Sequence, residues 1–433
     1  MKLQKYIDIL ILILTFSLFM LFSRAYLVVP IILIAMLIRL IMSFKIDRRN
    51  SQILLTLLTI VFMLLTLIFD MYPLTMFTTI FTGIIFIILL LHDIKKDNKR
   101  KTKLHKLISV IGFVGLGILI MGYIAFSYNS IFPDTLTRST QDIFPSKVVA
   151  HKSVDKNKDG TIYYKNLTYP SNYKNNKLDI YRAKNPKGTI FYIHGGGFAF
   201  DDKSEREDFL YRYVKEGYNV VNVNYQLSPD IRYPETLKQV NQALTFVNKH
   251  SKEYNIDTHK MVFSGDSAGG QLSGQLINVL NDKNYADEVG INVSSNARMK
   301  PKGYIAIGAL TNSQNIAHTQ FFLTDWFFDT LGRSYFETTD VQHNSKAEQA
   351  GVINHVKKDF PPTFISDGNF GTFTKDSKKF EQRLKELKIP VTSQFYNQSH
   401  GKLFHVYEID VNHEYARKIH KKHITFLNEL FDE

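Results

Sequence analysis

From about residue 166 to the C-terminus, short apolar runs alternate with longer stretches of helical spacing. The short runs are rich in β-branched and aromatic residues, as buried strands are, and the stretches between them have the length of helices, about 10–18 residues. The runs are Leu178–Tyr181, Thr189–Ile193, Asn219–Val223, Lys260–Phe263, Tyr304–Ile307, Thr363–Ile365 and Val391–Tyr396. This alternation predicts the α/β class, with a mostly parallel central sheet covered by helices on both faces.

The segment Gly265-Asp266-Ser267-Ala268-Gly269 lies between one of these runs and the helical stretch Gln271–Leu280. A Gly-x-Ser-x-Gly sequence between a strand and a helix forms a sharp turn that exposes the serine hydroxyl above the sheet. The pattern alone is weak, since it arises by chance in roughly one chain in ten of this length. Its position between a strand and a helix makes it specific, and Ser267 is predicted to be a nucleophile.

A second glycine-rich turn, His194-Gly195-Gly196-Gly197, directly follows the run Thr189–Ile193. Backbone without side chains can direct its N–H groups at an oxyanion. His194 lies 73 residues before Ser267, which is the order and approximate spacing of an oxyanion loop and its nucleophile. Together the two turns predict the site of a serine hydrolase.

Three blocks of sequence resemble the hormone-sensitive-lipase-like branch of the α/β-hydrolases, which are carboxylesterases and lipases. The blocks are Lys187–Phe198, Asn224–Pro229 and Gly265–Gly270, and the resemblance covers about residues 165–433. It implies Ser267 as the nucleophile and an oxyanion hole made by the backbone N–H groups of Gly196, Gly197 and Ala268. It also implies that His194 shapes the loop and is not the catalytic base.

A serine becomes a good nucleophile when a His accepts its proton and a carboxylate orients that His. The family order implies a His between the last strand, Val391–Tyr396, and the last helix, Tyr415–Leu430. We predict His405, which lies in the Leu-x-His-x-Tyr arrangement of many relatives, and keep His400, which precedes a glycine, as the alternative. The other histidines of the C-terminal region are predicted to be solvated: His413, His420 and His423.

The acid is expected after the strand Thr363–Ile365. Relatives commonly have an Asp-Pro-Leu-like signature a few residues further on, whereas this chain has Gly371-Thr372-Phe373. We predict Asp367 as the acid and keep Asp376 as the alternative, because Asp376 also suits the N-terminus of a helix. A Ser–His dyad without an acid stays open.

An aromatic-rich segment of about residues 311–358 follows the strand Tyr304–Ile307, where the resemblance implies a cap over the site. Its rings either pack the interior of the cap or form an acyl-binding wall or a lipid-facing surface. The aromatic residues are Phe321, Phe322, Trp326, Phe327, Phe328, Tyr335 and Phe336.

Residues 1–130 are dominated by apolar side chains. Five stretches of about 16–20 residues approach the length of a helix that crosses about 30 Å of hydrocarbon. They are Ile7–Phe22, Leu27–Phe44, Ile53–Phe69, Leu74–Leu91 and Leu107–Phe126. Asp8 and Arg39 lie near enough to an end of their stretches to reach the interface. We therefore expect an all-α bundle of about five transmembrane helices over residues 1–128.

Basic residues predict the orientation of such a bundle, since Lys and Arg favour cytoplasmic loops. Lys and Arg lie before the first stretch, between the second and third, and between the fourth and fifth, where residues 95–106 hold seven of them. The opposite loops hold little more than Arg24. This pattern predicts a multi-pass protein of the cell membrane with a cytoplasmic N-terminus and an extracytoplasmic catalytic domain.

Composition excludes several classes of site. The chain has no cysteine, which excludes disulfides, thiolate catalysis and Cys-ligated zinc. The net charge of +13 arises mainly in residues 1–130, which hold 14 of the 53 Lys and Arg residues and 5 of the 40 Asp and Glu residues. Because no basic stripe with interleaved aromatics follows, nucleic-acid binding is not expected.

The expected organisation is a membrane region at 1–128, a connector at 129–160 and an α/β-hydrolase domain with its cap at 161–433. The expected function is hydrolysis of a small-molecule or lipid ester through an acyl-enzyme at the outer membrane face, without cofactor or metal. Two alternatives stay open. One is transfer of an acyl or acetyl group to an envelope component, and the other is a non-catalytic ectodomain of hydrolase fold.

Overall fold

The computed structural model describes residues 2–20, 25–45, 53, 56–61, 63–64, 78–88, 125, 128–145 and 151–432. The chain divides into two compact units, Met1–Pro133 and Asp134–Glu433.

The first unit is helical where it is described. Helices α1, Lys2–Met20, and α2, Ala25–Lys45, pack through buried apolar residues. Asp8 and Arg39 form an ion pair in which neither side chain is exposed. The Arg39 guanidinium also donates to the Thr56 hydroxyl at 2.5 Å and lies 5.1 Å from the centre of the Phe86 ring.

The predicted localisation in a membrane is wrong, and the described residues do not support the predicted bundle of transmembrane helices. Among the described residues, no helix combines the length and the apolar character needed to cross a membrane. From the sequence, the Asp8 and Arg39 side chains were expected to reach the membrane interface. In the structure, both side chains are buried inside the helical unit, where they form an ion pair. The stretch Leu107–Phe126 lies outside the described residues except for residue 125, and parts of Ile53–Phe69 and Leu74–Leu91 do as well.

The second unit is built on a nine-stranded sheet within residues 151–432. The strands are β1 Ser153–Lys156, β2 Ile162–Thr168, β3 Lys177–Arg182, β4 Gly188–Ile193, β5 Tyr218–Val223, β6 Met261–Asp266, β7 Gly303–Ile307, β8 Thr363–Asp367 and β9 Val391–Phe395. Their order is β1-β2-β3-β5-β4-β6-β7-β8-β9. The six strands β4 to β9 are parallel to one another, while β1, β2 and β3 are antiparallel to their neighbours.

Helices cover both faces of this sheet, and the parallel pairing of six of its nine strands confirms the predicted mostly parallel sheet. The α-helices described from residue 133 onward are α3 Pro133–Ile143, α4 Glu207–Lys215, α5 Glu235–Lys249, α6 Ser267–Asn281, α7 Lys283–Val289, α8 Phe322–Phe336, α9 Ser345–Ala350, α10 Val352–His355, α11 Thr374–Glu386 and α12 Glu414–Asp432. Helices α5, α6 and α11 pack on one face and α4 and α12 on the other. Strands β4, β5 and β6 are buried at every position, as expected for strands covered on both faces.

Residues 129–160, predicted as a connector, include α3 and β1. Helix α3 is held by polar contacts within the second unit. Asp134 accepts hydrogen bonds from Arg232 at 2.6 Å and from the Ser334 hydroxyl at 2.7 Å, and the Gln141 amide donates to the Ser228 carbonyl at 2.6 Å. The residues that hold α3 in place are therefore distant in the sequence, which is why the local sequence did not predict this helix.

Candidate active site

Ser267 lies at the turn between β6 and α6. Its φ of 52° places it in the left-handed region, which non-glycine residues seldom adopt. Neighbouring glycines permit the turn, because a Cβ on Gly269 would lie 2.0 Å from the Ile193 carbonyl oxygen and one on Gly265 would lie 2.4 Å from the Gly269 carbonyl carbon. The local sequence therefore brings the turn against the C-terminal end of β4, with the Ser267 side chain at the carboxyl edge of the sheet.

His405 is the histidine that reaches Ser267. Its Nε2 atom lies 2.8 Å from the Ser267 Oγ atom. The imidazole is packed edge-to-face by Phe328 of α8 and by Phe373, with ring centres 5.2 and 5.1 Å away. Burial lowers the pKa of His405 to about 4. A neutral His405 is able to accept the proton of the serine hydroxyl.

Asp367 lies at the C-terminal end of β8 and is completely buried. Its Oδ1 atom accepts a hydrogen bond from the Gly368 N–H at 2.8 Å, and its Oδ2 atom accepts one from the Ser377 hydroxyl at 2.9 Å. Burial raises the pKa of Asp367 to about 7, although hydrogen bonds from Thr372, Ser377 and Gly368 oppose the rise. The carboxyl group is therefore held in one orientation from both sides.

Thr372 lies between His405 and Asp367. Its Oγ1 atom is 2.8 Å from His405 Nδ1 and donates a short hydrogen bond to Asp367 Oδ1. Within the described residues, the structure shows no direct hydrogen bond from His405 to Asp367. Thr372 was not among the predicted site residues, although the departure of Gly371-Thr372-Phe373 from the family signature was a signal in the sequence at this position.

The alternative residues lie elsewhere. His400 is exposed, and its Nδ1 atom is 2.8 Å from the Asn397 side-chain oxygen. Asp376 is in the first turn of α11, accepts from the Asn315 amide at 2.7 Å and lies 3.4 Å from the Lys379 ammonium. The structure brings neither residue into contact with Ser267.

The prediction that His420 and His423 are solvated is wrong. Both lie on α12, and their exposed fractions are 9% and 0%. The Nδ1 atom of His423 lies 2.7 Å from the Tyr213 hydroxyl. Burial lowers the pKa of His420 to about 4 and that of His423 to about 3, because the charged form would lose its hydration. The two histidines are buried in their neutral form because α12 packs on the sheet. The spacing of residues along the sequence did not indicate which face of α12 is buried.

The loop after β4 carries two of the three predicted oxyanion donors. Gly196 and Gly197 have φ values of 110° and 57°. A Cβ on Gly196 would lie 2.0 Å from the Phe200 carbonyl oxygen, and one on Gly197 would lie 2.5 Å from a methyl of Leu331. Ala268 is the second residue of α6, so its N–H is among those that have no acceptor within the helix. The loop is thus closely packed, and only glycine fits at these two positions.

Asp266, which precedes Ser267, anchors this loop. Its Oδ1 atom accepts from the Gly195 N–H at 3.0 Å and from the Tyr192 hydroxyl at 2.6 Å, and its Oδ2 atom accepts from Arg206 at 2.8 Å. Burial would raise the pKa of Asp266, but the Arg206 charge and these hydrogen bonds outweigh it and hold the pKa below its usual value. An ionised Asp266 therefore ties the turn at Ser267 to the loop at Gly195.

His194 contacts the loop and the adjoining strand end. Its Nδ1 atom lies 2.7 Å from the Gly195 carbonyl oxygen, and its Nε2 atom lies 3.0 Å from the Asn224 side-chain oxygen. The ring stacks on Tyr225 with centres 4.4 Å apart. Burial lowers the pKa of His194.

Aromatic residues of the predicted cap have two environments. Tyr335 is buried and stacks on Phe198 at 3.8 Å, so it packs the interior. Phe328 contacts the imidazole of His405, and Phe327 adjoins both Phe328 and Phe200 at 5.8 and 6.1 Å. The segment therefore contributes both packing and an aromatic wall beside the candidate base.

No group of three or more His, Asp or Glu side chains that could hold a metal ion occurs in the part of the chain that the structure describes.

Comparisons with known proteins give the class of this fold. The BD-FAE family matches residues 178–384. Acetyl esterases of Salmonella choleraesuis and Salmonella typhi are 26% identical over 222 residues, which is 48% of this chain and 63% of each relative. The chain thus spans 63% of the length of these curated relatives.

Two solved esterase structures have a similar fold. Esterase B from Lactobacillus rhamnosis has a TM-score of 0.56 and 16% identity, covering 64% of this chain and 89% of its own. The hyperthermophilic esterase from the archaeon Pyrobaculum calidifontis has a TM-score of 0.50 and 17% identity, covering 70% of this chain and 88% of its own. The second unit therefore has an α/β-hydrolase fold.

Proposed function

We propose that this chain hydrolyses carboxylic esters through an acyl-enzyme on Ser267. The observation that carries the proposal is the 2.8 Å contact between Ser267 Oγ and His405 Nε2. It occurs at a left-handed turn at the start of α6, where the serine hydroxyl of a hydrolase meets its base.

In the first step, Ser267 Oγ attacks the ester carbonyl carbon while its proton moves to His405 Nε2. The carbonyl oxygen becomes an oxyanion, and the N–H groups of Gly196, Gly197 and Ala268 would stabilise it. His405 then gives its proton to the departing alkoxide, which leaves as the alcohol. The acyl group remains on Ser267 as an ester.

In the second step, His405 Nε2 takes a proton from water, and the resulting hydroxide attacks the acyl carbon. Collapse of the second oxyanion breaks the bond to Ser267 Oγ, which regains its proton from His405. The products are the carboxylic acid and the free enzyme. The same imidazole serves as base and then as acid in each half of the reaction.

The low pKa of His405, about 4, keeps the imidazole neutral and ready to accept a proton near neutral pH. The cost is that the imidazolium formed during attack is disfavoured by burial. Groups that stabilise Nδ1–H therefore matter more here than at an exposed base.

The acyl group that we propose is acetyl or another short chain. Support comes from the Salmonella relatives, which are acetyl esterases. It comes also from the side chains that crowd the site, since Phe328 and Phe373 pack on His405 and Leu331 lies against Gly197.

Ser267→Ala tests the nucleophile. The full chain should hydrolyse p-nitrophenyl acetate and react with a fluorophosphonate probe, whereas the variant should lose at least about 10³-fold in turnover and all labelling. Ser264→Ala is a matched control, because that buried hydroxyl, three residues earlier in β6, donates to the Ile305 carbonyl at 3.1 Å and does not contact His405. Probe labelling that persists in Ser267→Ala would refute the assignment.

A further inference from the structure

Four side chains form a continuous line of hydrogen bonds from β8 to the nucleophile. Asp367 accepts from Thr372, Thr372 lies 2.8 Å from His405 Nδ1, and His405 Nε2 lies 2.8 Å from Ser267 Oγ. The usual serine triad has three members in direct contact, with the carboxylate on the imidazole. Here a threonine hydroxyl occupies the place between acid and base.

We propose that Thr372 is a positioning residue that fixes the tautomer of His405 and transmits the charge of Asp367 to it. This inference rests on the proposed function, since it assigns the orientation of the base in ester hydrolysis. Thr372 does not touch the reacting atoms, and its effect passes through His405.

The direction of the protons follows from what each atom can donate. An ionised Asp367 has no proton to give, so Thr372 must donate to it. The remaining lone pairs of Thr372 Oγ1 then face His405 Nδ1, which must carry the proton and donate it. His405 Nε2 is consequently bare and able to accept the proton of Ser267.

Protonation of Asp367 reverses this order. A neutral Asp367 would donate to Thr372, and Thr372 would donate to an unprotonated Nδ1. The proton of His405 would then be on Nε2, where it blocks acceptance from Ser267. The relay therefore makes turnover depend on the ionisation of Asp367, as well as on that of His405.

Other titratable groups face this relay, and one of them biases Asp367 toward its neutral form. Asp376 of α11 is one, and its charge raises the pKa of Asp367. The charge of Asp367 in turn raises the pKa of Glu408 and that of Tyr407. These groups would be unchanged by substitution of Thr372.

Thr372→Val removes the hydroxyl and keeps the shape of the side chain. Turnover of p-nitrophenyl acetate by the full chain should fall by about 10²-fold or more, because the imidazole loses its fixed tautomer. The Michaelis constant should change by less than about threefold, since Thr372 is not in contact with substrate. Thr372→Ser restores the hydroxyl and should recover turnover to within about tenfold of the unmodified chain.

Thr374→Val is the matched control. Thr374 lies two residues further on, at the start of α11, and its hydroxyl donates to the Gly368 carbonyl at 2.6 Å, but it is not in the relay. A loss in Thr372→Val that equals the loss in Thr374→Val would show a general loosening of the loop and would overturn the inference. A loss confined to Thr372→Val, with rescue by serine, supports it.

A second measurement does not depend on the folding of any variant. Nitrogen-15 and proton NMR of the unmodified chain should show His405 protonated on Nδ1 above the pKa of Asp367, with the proton moving to Nε2 and turnover falling as the pH drops below it. His405 found with its proton on Nε2 throughout would overturn the inference. If the unmodified chain neither hydrolyses the ester nor labels with fluorophosphonate, the proposed function fails instead, and the NMR result still decides the tautomer.

Discussion

At the scale of single residues, the site concentrates backbone strain around the candidate nucleophile and base. Ser267 and Val406 have φ values of 52° each, and a β-branched residue is seldom left-handed. Val406 directly follows His405, and its Cγ1 atom lies 3.0 Å from where a Cβ on Gly308 would be. Such strain costs roughly 1–3 kcal/mol per residue and persists only where surrounding packing holds it. The packing here holds Ser267 and His405 against each other.

His405→Ala and His400→Ala separate the two histidines that the sequence offered. Removal of His405 deprives Ser267 of its only hydrogen-bonded imidazole among the described residues, so turnover should fall by about 10³-fold or more. His400 is exposed and bonded to Asn397, so its removal should cost less than about tenfold. Steady-state ester hydrolysis measures both, and a larger loss in His400→Ala would exchange the two roles.

At the scale of elements, the site depends on how closely α6 approaches the end of β4. Parallel strands β4 and β6 are adjacent in the sheet, so their C-terminal loops meet at one edge. The charge of Asp266 binds Gly195 and Arg206 across this junction. Breaking one partner of such a buried pair costs about 3–5 kcal/mol, since the other charge would be left without compensation.

Gly269→Ala tests this close approach. The added Cβ would lie 2.0 Å from the Ile193 carbonyl and 2.4 Å from the His194 carbonyl, so α6 and the loop after β4 must separate. Turnover should fall by about 10²-fold or more, and fluorophosphonate labelling should slow, because a misplacement of about 1 Å can cost 10²-fold.

Gly217→Ala provides the matched comparison for Gly269→Ala. Its φ is 91°, but the nearest atom to an added Cβ is 3.6 Å away. It should lower the free energy of unfolding by about 1–2 kcal/mol through backbone strain and leave turnover nearly unchanged. Equal loss of turnover in both variants would show that the contact of α6 with β4 is not what the reaction requires.

At the scale of the whole molecule, charges are placed inside both units. Arg39 and Asp8 pair within the helical unit, and Glu408 and Asp367 are buried in the hydrolase unit. Burial, together with the nearby charge of Asp367, raises the pKa of Glu408 to about 8. The folded protein therefore retains a proton on Glu408 that the unfolded chain releases at lower pH.

This retained proton predicts how stability depends on pH. The stability from neutral Glu408 is fully present below the ordinary glutamate pKa of 4.5 and is lost as the pH rises through about 8. At its steepest, the free energy of unfolding should fall by about 1.4 kcal/mol per pH unit from this one proton. Glu408→Gln stays neutral and should remove that slope, as measured by urea unfolding at a series of pH values. Parallel curves for the two proteins would contradict the prediction.

The parts of this protein that its sequence determined are those encoded over short distances. Alternation of buried runs with helical spacing predicted the parallel sheet, because strand and helix periods depend on neighbouring residues. The Gly-x-Ser-x-Gly turn and the triple-glycine loop were recognisable because glycine is needed where backbones approach within van der Waals distance. The expectation of an α/β-hydrolase fold followed from those local segments.

Tertiary structure alone decided which distant side chains meet. Thr372 enters between Asp367 and His405 because the loop after β8 and the loop after β9 converge at one sheet edge, and no spacing in the sequence encodes that convergence. The opposite charges of Asp8 and Arg39 form an ion pair inside the helical unit, although the apolar stretches of the sequence predicted membrane-spanning helices. Burial of a charge is favourable only beside a partner, and the partner's position is a property of the folded chain.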